Sequence, residues 1–307
     1  MEKVRFENRV AVITGAGGGL GRAYATLLAS RGAKVIVNDP GGTFDGTGSD
    51  PTAARKVAAE ILAAGGEAVV SHDSVEEWES AQNIIETALD HYGRLDILIN
   101  NAGVLRDKSL LKMTVEDYRK VMAVHLDGTF FCTKAAFALM KEQSYGRIVS
   151  TSSAAGLYGN FGQTNYGAAK LGIAGLMNSV AQEGSRYNIK ANTIIPTAGT
   201  RMTFTVMPEE VIDKIGPEYV APIVAWLCSD SCNVSGKMFS AGGGYFSRAA
   251  VIEGRGVVFD TGRSITVEMI AAEIDRIMDL EGSSEHGSAV EHAGALLARL
   301  NNVHDKF

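Results

Sequence analysis

Short apolar segments alternate with longer amphipathic segments from the start of the chain to about residue 245. The apolar segments are Val10–Thr14, Lys34–Asp39, Glu67–Asp73, Leu95–Asn100, Arg147–Ser152, Lys190–Pro196 and Met238–Gly242. The segments with helical periodicity are Leu20–Ser30, Thr52–Ala64, Val75–Tyr92, Thr114–Gln143, Gln163–Tyr187 and Pro217–Ser229. Several strands are apolar almost throughout, which is typical of strands covered on both faces. Repeated β-α-β units predict an α/β fold with a doubly wound, parallel, Rossmann-like sheet. Ligands of such a sheet bind outside the carboxyl ends of its strands.

The alternation stops after residue 247. Two helical faces follow, formed by Val267, Ile270, Ala271, Ile274, Ile277 and Met278 and then by Val290, Ala293, Leu297 and Leu300. We therefore predict a dinucleotide-binding and catalytic domain over residues 1–247 and a helical C-terminal extension over residues 248–307. The extension is too short for a core of its own, so we expect it to pack on the first domain.

Composition argues against several classes of function. A net charge of −6 is unsuited to binding nucleic acid, which needs a basic face. No apolar run approaches the ~20 residues of a membrane span. Cys132, Cys228 and Cys232 form no metal-ligand cluster, so we expect reduced thiols and no metal. The charged residues 1–7 do not read as a signal peptide, and the cytoplasm is the expected location.

A glycine-rich turn, Thr14–Gly21, joins the first predicted strand to the first predicted helix. Glycines there permit a tight turn and a close backbone approach to a pyrophosphate, and the helix N-terminus offers free N–H groups. A glycine-rich turn can also be only a turn, but the strand–helix context favours a dinucleotide. Gly15, Gly19, Leu20 and Gly21 are therefore candidate cofactor residues.

Acidic residues end the second and third predicted strands. Asp39 can accept hydrogen bonds from both ribose hydroxyls and would repel a 2′-phosphate, so NAD is favoured over NADP. Alternatively, Asp39 only begins the loop before Pro40. Asp73 and Ser74 are placed to contact the adenine edge, or Asp73 caps the helix predicted from Val75.

A serine, a tyrosine and a lysine stand at a spacing that suits proton transfer. Tyr166 and Lys170 share one helical face, and Ser153 ends the fifth predicted strand. Free tyrosine titrates near 10, and a cation about 4 Å away contributes roughly 4 kcal/mol, or about three pKa units. We therefore expect Lys170 to lower the pKa of Tyr166, which takes a hydroxyl proton while Ser153 holds the substrate oxygen.

These motifs resemble the short-chain dehydrogenase/reductase family from the glycine turn to Gly243. Thr14–Gly21, Asn100–Gly103 and Tyr166–Lys170 match its Thr-Gly-x-x-x-Gly-x-Gly, Asn-Asn-Ala-Gly and Tyr-x-x-x-Lys patterns. The resemblance implies an NAD-dependent oxidoreductase in which the tyrosine and the lysine also contact the cofactor.

The same resemblance assigns roles to residues that spacing alone leaves open. It makes Asn101 a cofactor neighbour and favours the adenine role for Asp73 and Ser74. It also implies that Gly199 and Thr200 belong to a loop at the nicotinamide end.

A closer resemblance is to the (3R)-hydroxyacyl-CoA dehydrogenase units of peroxisomal multifunctional β-oxidation enzymes. It is carried by Val37–Gly42, Tyr158–Gln163, Ala198–Thr203 and the helical tail. It implies oxidation of a (3R)-3-hydroxyacyl-CoA to a 3-oxoacyl-CoA in fatty acid β-oxidation, by a homodimer.

One position departs from the family pattern. His125 stands where the family usually has an asparagine that completes a proton relay to the lysine. An imidazole can donate, accept and titrate near 6.5, so it could serve the relay. It could equally be a histidine that only bonds backbone.

Two other functions stay open. The substrate could instead be a steroid, another secondary alcohol or an acyl-carrier-protein ester. For a hydroxyacyl-CoA, the apolar residues Met202, Phe204, Val206 and Met207 could cover the acyl chain, or they only pack as an ordinary short helix. A protein that binds NAD without turnover, as a sensor or scaffold, should lack the Tyr–Lys pair.

Overall fold

The computed structural model describes residues 3–199, 210 and 214–304. Contacts divide the chain into two compact units, Met1–Arg248 and Ala249–Phe307. Among the described residues, every helix is too short or too polar to cross a membrane.

The first unit is built on one sheet. Its described strands are β1 (Val10–Thr14), β2 (Lys34–Asn38), β3 (Glu67–Ser71), β4 (Ile97–Asn100), β5 (Gly146–Thr151), β6 (Ile189–Pro196), β7 (Met238–Gly242) and β8 (Tyr245–Ala249), the last of which runs into the second unit. Their order is β3-β2-β1-β4-β5-β6-β7-β8, and the pairs from β3 to β7 are parallel. The predicted doubly wound α/β fold is confirmed.

Helices cover both faces of this sheet. The described helices are α1 (Gly19–Ala29), α2 (Thr52–Ala63), α3 (Trp78–Tyr92), α4 (Val115–Met122), α5 (Gly128–Gln143), α6 (Ala154–Tyr158), α7 (Thr164–Gly184) and α8 (Ala221–Leu227). Every residue of β1, β4 and β5 is buried, because one apolar cluster packs on each side of the sheet. This two-sided burial is the physical reason for the almost uninterrupted apolar runs.

Local structure differs from the predicted pattern in four places. The segment predicted as one helix over Thr114–Gln143 is interrupted by a π-helical turn at Ala123–Asp127. Helix α3 begins at Trp78 after an N-cap at Glu77, so the prediction of a helix from Val75 capped by Asp73 is wrong. Helix α6 and strand β8 had not been predicted.

The second unit is helical, as predicted. It contains α9 (Val267–Ala272), α10 (Ile274–Met278) and α11 (Ala289–His304). Thr266 caps α9 by accepting a hydrogen bond from the Met269 N–H at 3.3 Å. The first predicted face is split between α9 and α10, since Glu273 leaves the helical conformation between them.

Candidate active site

A cavity of about 880 Å³ lies in the first unit, at the carboxyl ends of the central strands. The glycine turn, the residues that follow β2, β3, β4 and β5, and helix α7 all contribute side chains or backbone to its wall. Ser153, Tyr166 and Lys170 line this same cavity together with Gly15, Gly19, Leu20, Asp39, Ser74 and Asn101. The fold thus brings most of the predicted site residues together.

The glycine turn has room for backbone only. Gly15 has a φ of +65°, and a Cβ there would lie 2.8 Å from the Ala102 Cα. A Cβ at Gly21 would collide with the Gly15 carbonyl, so Gly21, which does not line the cavity, keeps the turn and α1 close together. Gly18 precedes α1 without a side-chain cap. The exposed helix N-terminus and the bare turn fit the pyrophosphate of a dinucleotide.

Asp39 is held at the edge of the cavity by backbone. Its Oδ2 accepts the Gly17 N–H at 2.9 Å, and its Oδ1 accepts the Gly41 N–H at 2.8 Å. These two bonds orient the carboxylate and leave lone pairs on both oxygens. The carboxylate therefore anchors the loop that it begins and faces the cavity where a ribose would bind.

The other residues predicted to bind the cofactor do not all line the cavity. Asn101 lines the cavity, and its Nδ2 donates to the carbonyls of Thr14 and Gly15, both at 3.1 Å, so the side chain ties β4 to the glycine turn. Asp73 is not among the residues that line the cavity, and its Oδ2 accepts a hydrogen bond from the Ser71 hydroxyl at 3.0 Å. The Gly199 N–H is used by the Ile215 carbonyl at 2.7 Å.

Two parts of the predicted loop could not be placed. Thr200, and the four apolar residues considered as an acyl cover, Met202, Phe204, Val206 and Met207, lie outside the described residues. Pro196, which ends β6, lines the cavity.

The proton-transfer residues are arranged around the ends of β5 and α7. Ser153 caps α6 by accepting the Ala155 N–H at 3.2 Å. The Lys170 Nζ donates to the Thr151 carbonyl at 2.6 Å and lies 5.5 Å from the centroid of the Tyr166 ring. Lys170 is only 3% exposed. The predicted set is thus assembled at one wall of the cavity.

The pKa of Tyr166 is raised in this structure rather than lowered as predicted from the position of Lys170. Burial raises the pKa of Tyr166 to about 12; the hydrogen bond with Ser153 acts in the opposite sense, and the Asp107 carboxylate raises it further. Burial also lowers the pKa of Lys170 to about 7. Since burial disfavours both charged forms, the spacing alone does not produce an ionised tyrosine.

His125 is placed on the π-helical turn behind Tyr166. Its ring stands edge-on to the Tyr166 ring at 5.2 Å, and its Nε2 lies 2.8 Å from the Val104 carbonyl and 3.0 Å from the Val104 N–H. The Nδ1 is buried, with no hydrogen-bond partner in the described part of the chain. A Cβ at Gly103 would collide with the imidazole. Burial, followed by the Lys170 charge, lowers the pKa of His125 well below its usual range.

We predict that His125 does not titrate during assays near neutrality, because its pKa is lowered. The pH profiles of kcat/KM for the wild type and His125→Asn should agree in apparent pKa within about 0.3 unit from about pH 6 to 8. Steady-state kinetics across this range measure the two profiles. A wild-type profile that falls more steeply below neutrality would show that the histidine titrates there.

The cavity contains an acid that the sequence did not point out. Asp107 lines the cavity, and its Oδ2 accepts the Gln163 Nε2–H at 2.7 Å. Burial raises the pKa of Asp107, and the bond from Gln163 opposes the rise. Its position after the carboxyl end of β4, where functional side chains of parallel sheets gather, is the signal that could have identified it.

Comparisons with known proteins agree with this arrangement. The sequence profile of the family described as short chain dehydrogenase matches residues 9–210. The chain is 48% identical over 301 residues to peroxisomal multifunctional enzyme type 2 of Mus musculus, covering 98% of this chain and 40% of that protein. It is 49% identical over 281 residues to a putative short-chain type dehydrogenase/reductase of Mycobacterium tuberculosis, covering 92% of this chain and 98% of that protein.

A solved structure extends the comparison to the fold. Full-length peroxisomal multifunctional enzyme type 2 of Drosophila melanogaster superposes with a TM-score of 0.83 at 40% identity, covering 98% of this chain and 51% of that chain. The chain thus spans about half the length, or less, of these two multifunctional relatives.

Proposed function

The chain belongs to the short chain dehydrogenase family, an oxidoreductase family that uses a nicotinamide cofactor, and we propose that it oxidises the 3-hydroxyl of a (3R)-3-hydroxyacyl-CoA to the 3-oxo group with NAD. The observation that carries this proposal is the convergence of Ser153, Tyr166 and Lys170 on the cavity that the glycine turn also lines.

Each of the three side chains has a distinct part in the oxidation. Tyr166 takes the proton of the substrate hydroxyl, and Ser153 holds the substrate oxygen as its charge changes. Lys170, fixed on the Thr151 carbonyl, holds a positive charge behind the tyrosine when it is protonated. A nicotinamide cofactor bound in this cavity would supply the hydride acceptor, and its positively charged ring would favour loss of the Tyr166 proton.

NAD is favoured over NADP by the carboxylate of Asp39. The two backbone bonds from Gly17 and Gly41 keep this carboxylate at the cavity edge. A 2′-phosphate placed beside it would meet like charge in a partly desolvated site, which is costly. The ribose hydroxyls of NAD can instead donate to the remaining lone pairs.

The acyl-CoA substrate is supported by two features. The relatives matched over 98% of the chain are named peroxisomal multifunctional enzyme type 2, and the motif at Tyr158–Gln163 resembles the (3R)-hydroxyacyl-CoA dehydrogenase units of such enzymes. Tyr158 and Phe161 line the cavity while 77% and 90% exposed, so an acyl chain at the cavity mouth would bury apolar surface. A steroid could use the same surface, and it is therefore the second candidate substrate.

A substrate panel followed at the nicotinamide absorbance tests the proposal. We expect NAD reduction with (3R)-3-hydroxyacyl-CoA, turnover at least about 10-fold slower with the (3S) enantiomer, and little reaction with NADP, since a single misplaced polar contact costs about 1.4 kcal/mol or more. Activity confined to a steroid would overturn the proposal that the substrate is an acyl-CoA. Cofactor binding without turnover of any alcohol would favour a sensor or scaffold.

We also propose a homodimer and a cytoplasmic location. The dimer is supported by the resemblance to the multifunctional enzymes, and a reducing compartment suits the three buried free thiols, Cys132, Cys228 and Cys232. Light scattering of the purified chain and cell fractionation would test the two statements separately.

A further inference from the structure

The loop after β2 is folded into a defined shape, although it carries no helix or strand. Thr43–Thr47, called here the strap, closes on itself: the Thr43 N–H donates to the Thr47 carbonyl at 2.8 Å, and the Thr47 hydroxyl donates to the Asp45 carboxylate at 2.8 Å. The Asp50 N–H donates to the Gly41 carbonyl at 2.9 Å and closes the base of the loop. The Gly41 N–H in turn donates a hydrogen bond to the Asp39 carboxylate.

The strap also forms hydrogen bonds with the segment that follows β4. The Leu105 N–H donates to the Phe44 carbonyl at 2.8 Å, and the Arg106 Nε–H donates to the Asp45 carbonyl at 3.0 Å. Gly46 lies against Lys120 and Val104, so that a Cβ at this position would stand 2.8 Å from the Lys120 Cε. The strap therefore bridges the ends of β2 and β4, over the part of the cavity that Asp39 borders.

An ion pair borders the same part of the cavity. The Lys120 Nζ lies 2.7 and 2.8 Å from the two carboxylate oxygens of Glu76, and both residues line the cavity with Ser74. Contact with Gly46 places this pair next to the strap. Because both charges are satisfied by each other, the pair forms a neutral wall rather than an anion site.

Phe44 is the apolar residue of the strap. Its side chain is 58% exposed although it lines the cavity. An aromatic ring that borders a cavity and has much of its surface uncovered is suited to stacking on a planar ligand, and stacking of a base on an aromatic ring contributes substantially to binding.

We propose that the strap is a binding element for the adenosine half of the cofactor, with Phe44 packing on the adenine. This inference rests on the proposed NAD-linked function. Asp39 at the base of the strap takes the adenosine ribose, and the strap spans the adjoining space to Val104 and Lys120. In this proposal the glycine turn binds the pyrophosphate of the cofactor, and the strap contributes a separate contact to its adenine.

The first test measures binding of NADH and of ADP-ribose, which carries adenosine but no nicotinamide, by calorimetry. Phe44→Ala should weaken both ligands about tenfold, and Phe44→Trp, which keeps an aromatic face, should stay within about twofold of the wild type. Because Phe44 is largely exposed, both variants should unfold at the wild-type temperature. Equal affinity of Phe44→Ala and wild type for either ligand would overturn the adenine contact. A wild type that binds no NADH would instead overturn the proposed function, and the strap's role with it.

A second test alters the contact of the strap with Lys120 and Val104 and leaves the Phe44 ring unchanged. Gly46 and Gly48 have similar positive φ values, +80° and +70°, but a Cβ meets Lys120 and Val104 only at position 46; at position 48 nothing lies within 4 Å. Gly46→Ala should weaken the binding of NADH about fivefold relative to Gly48→Ala, which carries the same backbone strain. Equal affinities of the two variants for NADH would show that the contact of the strap with Lys120 and Val104 does not contribute to binding.

Discussion

Replacing Tyr166 with phenylalanine should lower kcat by about 10²- to 10⁴-fold, the range that a positioned general acid or base contributes. The phenyl ring fills the same space against His125, whose ring stands 5.2 Å away, so the fold and the cavity should be kept. The affinity for NADH should change by no more than about tenfold, since the loss of one hydroxyl removes about one hydrogen bond. Initial rates with (3R)-3-hydroxyacyl-CoA and NADH binding in parallel separate the two effects.

Tyr158→Phe is the matched control for this variant. Tyr158 lines the same cavity and is 77% exposed, and the proposed chemistry gives its hydroxyl no part in proton transfer. Its kcat should stay close to that of the wild type. If both variants lost activity to the same degree, proton transfer by Tyr166 would not be the cause.

Lys170→Met should make the free energy of unfolding respond differently to pH. Burial lowers the pKa of Lys170 from 10.5 to about 7. From about pH 7 to 10.5 the unfolded chain therefore holds a proton on this lysine that the folded chain has lost. Since the unfolded state binds more protons there, this group makes the wild type more stable as the pH rises. Below about pH 7 the folded protein bears the full cost of a buried charge.

Urea unfolding of the wild type and the variant gives the size of this effect. At about 1.4 kcal/mol per pH unit, the stability of the wild type relative to Lys170→Met should increase by roughly 2–3 kcal/mol between about pH 7 and 9. Lys112→Met removes an exposed lysine and should show no comparable change relative to the wild type. A constant difference between wild type and Lys170→Met would mean that the folded lysine stays protonated throughout.

Those parts of the fold that rest on burial and residue type could be predicted from the sequence. β1 and β4 are wholly buried, and all of their residues except Thr14 and Asn100 are apolar. The periodic helices between the strands left few alternative topologies. The convergence of Ser153 with Tyr166 follows from the same topology, because parallel strands end at one edge of the sheet.

The features that the sequence did not reveal depend on small local differences. The π-helical turn at Ala123–Asp127 spans only five residues, too few for its wider period to be told from that of the flanking α-helices. Helix α6 spans only five residues, Ala154–Tyr158, too few to establish a periodicity. β8 was missed because none of its five residues is buried, which leaves no apolar alternation to detect.

The ionisation of the site could not be predicted from spacing. The four-residue interval between Tyr166 and Lys170 predicts a shared face, but their pKa values depend on how much water burial removes. Both groups are enclosed, and burial is the largest influence on each pKa. The edge-on contact between the rings of His125 and Tyr166 and the position of the Asp107 carboxylate are likewise consequences of packing rather than of spacing in the sequence.

The carboxylate of Asp39 has a consequence for engineering cofactor preference. An exchange of Asp39 for serine or arginine, intended to admit NADP, would also remove the charged acceptor of the Gly17 and Gly41 N–H groups. Hydrogen bonds to a charged acceptor are worth about 1.5–3 kcal/mol each. Retargeting this chain to NADP therefore calls for a compensating acceptor at the glycine turn, and variants chosen for cofactor preference alone would carry a thermal penalty.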